Sequence, residues 1–229
     1  MINLKALGLA TAAVLVMSAA TASAAYAQTE LIPSEYPAII TGEQIASEEH
    51  PMHTISIGTF GRLKCETAKL TGTVKQADKH TELTVTPSYA ECYFNGNPST
   101  VTMNGCDYVL QLAGTLDISC PTEPKHILID VWFSLKEHLG GTETTCKYTI
   151  GPQTGLKGLG FTNTSPVGEK TDVDLTFGVA NIAIKRIQGT SGNCGPENPV
   201  GGANYSGLTT LRAYEDNNGT EGNQLNLTA

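Results

Sequence analysis

Cations are scarce in this 229-residue chain: 14 Lys and Arg stand against 22 Asp and Glu, for a formal net charge of −8. A chain with so few cations displaces few counterions from a phosphate polymer, which argues against nucleic acid and against anionic membranes as partners. Charged residues make up 16% and aromatic residues 6% of the chain, with a single tryptophan. An acidic balance with few aromatics would permit disorder. The apolar fraction of 40%, arranged in short alternating runs, points instead to a folded β protein.

Other features are missing altogether. No stretch after residue 27 sustains a 3.6-residue apolar period, so no long helix is expected. The six cysteines, at 65, 92, 106, 120, 146 and 194, contain no C-x-x-C pair. A zinc or iron–sulfur site would therefore be without its usual chelating unit, and neither metal nor cofactor is expected.

What is present begins with Lys5, an apolar run from Ala6 to Ala20, and small residues ending in Ala25-Tyr26-Ala27. This is the pattern of a secretory signal cleaved after Ala27, with Ala22-Ser23-Ala24 as a second candidate site. Residues 28–229 are then expected as a single all-β domain, with a weak hint of duplication between 54–120 and 126–229. Export places the protein outside the cell or in the cell envelope, with no membrane insertion once the signal is removed. An even cysteine count in an exported chain implies disulfides. Of the fifteen connectivities, Cys65–Cys92, Cys106–Cys120 and Cys146–Cys194 are favoured because they close the shorter loops.

Residues 103–120 are the best-specified stretch. If Cys106 faces Cys120, Tyr108 falls opposite Ile118 and Leu110 opposite Leu116. Leu112-Ala113-Gly114 is then the loop, with Gly in its last, left-handed position. Further strands are read at Ala38–Thr41, Thr54–Ile57, Arg62–Val74, Thr81–Tyr89, His126–Phe133, Cys146–Ile150, Asp172–Val179, Leu208–Tyr214 and Gln224–Thr228. A slip at Glu66-Thr67 reads as a bulge. Pro87 reads as an edge position or a strand end. His126–Phe133 has two apolar faces and reads as a central strand covered on both sides. About eleven short strands with Gly, Pro and Asn turns, including Asp216-Asn217-Asn218-Gly219, point to an antiparallel sandwich or barrel.

Three constellations invite chemistry. Glu48-Glu49-His50-Pro51-Met52-His53 offers carboxylates and imidazoles, but Pro51 keeps the backbone extended, and a solvated loop explains the stretch as well. Gly189-Thr190-Ser191-Gly192-Asn193 resembles a serine-protease nucleophile loop, yet no histidine has the matching context and the second glycine is missing. Asp107, Asp117 and Asp130, with His126, are the suspects for a hydrolase site of unfamiliar type. In the hairpin register, Asp107 and Asp117 lie one diagonal step apart on its outer face, where solvated acids are common.

Cys65-Glu66-Thr67-Ala68, Val85-Thr86-Pro87-Ser88-Tyr89 leading to Cys92, Met103-Asn104-Gly105-Cys106-Asp107-Tyr108 and Gly151-Pro152-Gln153 together resemble a group of uncharacterised exported actinobacterial proteins. That resemblance implies export and a cysteine-stapled β domain, and supplies no catalytic residues. The leading expectation is a non-catalytic extracellular or envelope module with a protein or glycan partner. The alternative is a secreted hydrolase.

Overall fold

The computed structural model describes residues 30–44, 52–74, 81–133, 144–164, 172–214 and 225–228. The proposed leader 1–27, the segment 45–51 and the Asp216-Asn217-Asn218-Gly219 turn lie outside them. Sixteen strands and one single-turn helix are found among the described residues, so the all-β, antiparallel expectation holds with more strands than the apolar runs mark out, several of them longer.

Long strands organise the rest by changing partners along their length. β15 (Ala203–Tyr214) pairs β3 (Thr54–Ile57) through residues 203–206 and β2 (Ala38–Gln44) through 209–214. β4 (Gly61–Val74) does the same, pairing β3 over 61–64 and β2 over 69–74. β5 (Glu82–Phe94) pairs β7 (Asp107–Gln111) at its start and β6 (Asn97–Thr102) at its end. Along β4 the buried set passes from Leu63 and Cys65 to Ala68 and Leu70. Strand β5 changes face at the same level, from Val85 to Cys92 and Phe94.

The Glu66-Thr67 slip is therefore no bulge. Cys65↔Cys92 and Thr67↔Ala90 belong to one unbroken register, and both strands turn over together. Glu91, with φ +52°, supplies the left-handed step on β5. The reason is architectural: each end of the strand pair buries an apolar face, and the two ends bury opposite faces.

Those two ends belong to two ladders that each return on themselves. In the first, β8 (Thr115–Ser119), β7, β5, β4, β2, β15, β13 (Val173–Ile182) and β12 (Leu159–Asn163) are successive neighbours, while β11 (Gln153–Lys157) pairs β8. Gly158 alone joins β11 to β12. Its amide donates to Gly114 O at 3.1 Å, and its carbonyl accepts from the Gly178 amide at 2.7 Å, so both sides of the seam are bonded. Gly158 has φ +122°, and a Cβ there would sit 2.3 Å from Gly178 O. Only glycine fits such a backbone and such an approach.

The second ladder runs β3, β4, β5, β6, β9 (Ile127–Phe133), β10 (Thr144–Ile150) and β14 (Lys185–Gln188). β14 follows β13 through Ala183-Ile184, and the end of β13 pairs β15 at Ile182↔Ala203, which leads back to β3. Gln153 holds that linker through both amide atoms, donating to Ala183 O at 3.0 Å and accepting from Ala183 N at 2.6 Å. Closure of this kind leaves little open strand edge. β1 (Glu30–Pro33) and β16 (Leu225–Thr228) form a separate antiparallel pair, so β16 does not continue from β15 as a hairpin.

The 103–120 hairpin has the expected register: Tyr108↔Ile118, Leu110↔Leu116, with Gly114 at φ +93°. Disulfides join Cys65–Cys92, Cys106–Cys120 and Cys146–Cys194. Pro87 lies mid-strand, opposite Leu70 on β4. It is tolerated because the other side of β5 has no ladder partner between Val85 and Cys92, which makes the position a local edge. β9 is central in its ladder, between β6 and β10, but it is not covered on both sides. Ile127, Ile129 and Val131 are buried, whereas Trp132 on the other face is 40% exposed.

Candidate binding face and a buried histidine

The four hydrolase suspects have separate partners. Asp107 accepts from Thr86 Oγ1 at 2.6 Å on β5. Asp117 accepts from the Gly155 amide at 2.6 Å across the β8–β11 ladder. Asp130 on β9 pairs with Lys147 Nζ at 3.2 Å. His126 precedes β9, and its carbonyl accepts from Asn104 Nδ2 at 3.0 Å. The 189–193 loop becomes the helix α1 (Ser191–Cys194), pinned to β10 by Cys146–Cys194 and by Tyr148 Oη donating to Cys194 O at 2.7 Å.

His53 overturns its reading as part of a solvated loop. It is 2% exposed, because Gly207 on β15 leaves the space its ring fills: a Cβ at 207 would lie 2.7 Å from the imidazole. Phe177 meets the ring edge-on at 5.5 Å. Nε2 faces Leu208 O at 3.2 Å and Thr209 Oγ1 at 2.8 Å. A carbonyl can only accept, so Nε2 carries the proton and Nδ1 is the acceptor.

Tyr205 Oη is hydrogen-bonded to Nδ1 and therefore donates to it. Tyr89 Oη lies 2.8 Å from Tyr205 Oη, and Tyr108 Oη lies 3.1 Å from Tyr89 Oη. The polarity then propagates: Tyr108 donates to Tyr89, Tyr89 to Tyr205, Tyr205 to His53. Every member is neutral and satisfied, which is what a core requires of buried polar groups. Burial depresses His53 to about 4, against a smaller opposing effect of the Leu208 carbonyl. Burial likewise raises all three phenols well above their ordinary range. These groups form one hydrogen-bonded chain in the core where the long strands change face.

The exposed face of the second ladder is different. Lys64 is opposite Tyr93, and Tyr93 is opposite Pro98. Continuing the β6–β9 ladder one step past Ser99↔Val131 brings Pro98 opposite Trp132. Tyr93 and Trp132 are each 40% exposed, and two strand spacings separate their backbones by about 10 Å. Beside Tyr93 is a cleft of about 450 Å³ lined by Met52, Arg62, Lys64, Glu66 and Asn95 among others.

Asn95 fixes the cleft's end. Its Oδ1 accepts from the Arg62 amide at 2.9 Å and its own amide donates to Arg62 O at 3.0 Å. Asn95 and Gly96 both have positive φ, as the two-residue β5–β6 turn demands. Nothing in the sequence pattern marks this site except the alternation itself, which puts Lys64, Tyr93 and Trp132 on outward positions. Comparison of the chain with family models, curated proteins and solved structures gave no match.

Proposed function

We propose that the protein acts outside the cell or in the cell envelope as a non-catalytic binding module, and that its partner docks on the face carrying Tyr93 and Trp132. One observation carries this reading: two large aromatic side chains stand uncovered in a single row across a rigid, disulfide-tied sheet. Exposed aromatics of this kind gain from burial by a partner and, with two side-chain torsions each, lose little entropy on docking. Three disulfides fit an oxidising compartment, which supports the export read from residues 1–27 and is consistent with the likeness to exported actinobacterial proteins. No helix among the described residues is long and apolar enough to cross a membrane.

The test is to incubate the oxidised mature protein with an immobilised glycan panel and with envelope fractions. Retention and released product are measured in the same samples. Retention that falls about tenfold, or 1.4 kcal/mol, in Tyr93→Ala and Trp132→Ala, without release of sugars or peptides, is the expected result. Steady product release that survives both substitutions favours the hydrolase.

A further inference from the structure

The charges around Tyr93 narrow the class of partner. Lys69, Lys125, Lys147, Lys185 and Arg212 each form an ion pair with a carboxylate. Arg62 and Lys64 form none with any described residue, and they stand two apart on the outward face of β4, both lining the Tyr93 cleft. On a chain of net charge −8, the lining of this cleft holds two cations and one carboxylate, Glu66, and that local excess of positive charge beside an exposed ring makes a site for an anion with a flat apolar face.

We infer that this face binds a carboxylate-bearing polysaccharide, an inference that rests on the binding-module reading above. The Tyr93 ring stacks on the apolar face of one pyranose. The Arg62 guanidinium takes a uronate carboxylate in the two-pronged geometry that suits it, and Lys64 supplies a second point charge. Trp132, about 10 Å away by strand spacing, serves a later sugar of the same chain. An extended peptide is less well served. Peptides commonly add to an open strand edge, and the ladder here passes on through β6, β9 and β10 on one side and β3 on the other. Nucleic acid is disfavoured by a site of two cations, too few for the counterion release that drives such binding.

The experiment uses affinity electrophoresis of the oxidised mature chain through gels containing polygalacturonate, alginate, dextran, β-glucan or polyglutamate. Variants are Arg62→Gln with Lys64→Gln, Tyr93→Ala, and Trp132→Ala, each checked for an unchanged melting temperature. Retardation is expected with polygalacturonate or alginate. It weakens as salt is added, and falls about tenfold both in the double glutamine variant and in Tyr93→Ala.

Retardation by dextran or β-glucan that is equal in the wild type and the double glutamine variant, and lost in Tyr93→Ala, would overturn the acidic ligand and leave the binding face standing. Polyglutamate matching the uronates would show that charge alone is read, and would overturn the saccharide. Uronate binding that none of the variants weakens would overturn both the ligand and the face, and an absence of uronate retardation would overturn the proposal directly.

Discussion

At the scale of single residues, His53 is the most informative position. Its folded-state pKa of about 4 lies below the ordinary 6.5, so the unfolded chain takes up a proton at a pH where the folded protein does not. The stability it contributes is complete above pH 6.5, is lost as the pH falls toward 4, and changes no further below that. The shift corresponds to roughly 3 kcal/mol. Urea unfolding of wild type and His53→Gln at pH 7 and pH 4 should show that difference as extra acid sensitivity of the wild type, beyond the carboxylate contribution both share. NMR of the imidazole should find no titration above pH 5.

Gly207→Ala should destabilise by about 1–3 kcal/mol, as overpacking does in a filled core, because its methyl enters the imidazole's space. None of this could be read locally. The residues just before His53, Glu48-Glu49-His50-Pro51-Met52, read as a loop, while the tyrosines of its hydrogen-bonded chain and the glycine that makes room for it come from β5, β7 and β15, as far along the chain as Gly207.

At the scale of elements, local pattern served where partners are adjacent in sequence and failed where they are distant. The 106–120 hairpin was legible because alternation, a loop glycine and two cysteines all specify one register. The slip at Glu66-Thr67 was visible but misread. A bulge and a concerted change of face give the same apolar spacing on one strand, and only the partner strand tells them apart. The covered face expected for β9 failed because Leu128 and Trp132 are apolar by composition yet point outward, and periodicity cannot say which of two apolar faces lacks a cover.

The seam at Gly158 carries its own expectation. Gly158→Ala forces a methyl against Gly178 O and a side chain into φ +122°. It should destabilise by at least 1–3 kcal/mol and raise amide exchange first at Gly158, Leu159 and Gly178. Replacing Cys106 and Cys120 together by Ala should lower stability by about 2–4 kcal/mol while leaving the Tyr93 face intact. Peptide mapping of the unreduced protein should recover residues 106 and 120 in one bonded fragment.

At the scale of the whole molecule, the chain reads as a scaffold that spends its apolar residues on two closed ladders and leaves one aromatic row outside. Its acidity keeps polyanions at a distance in general. Over the roughly 8 Å reach of a charge at physiological salt, however, the row near Arg62 and Lys64 feels those two cations first. The all-β class and the disulfide framework follow from composition and spacing. The binding face does not, because it depends on which outward positions of β4, β5, β6 and β9 become neighbours.

The single tryptophan of the chain stands in that row, so its emission reports on the face directly. The decisive measurement is a titration of the oxidised mature protein with polygalacturonate, followed by Trp132 fluorescence and its quenching by acrylamide. Binding at the proposed face should shift the emission to shorter wavelength and protect it from quencher, and Tyr93→Ala should shift the midpoint about tenfold to higher ligand. Emission and quenching that stay unchanged through saturation, with binding registered by another method, would contradict it.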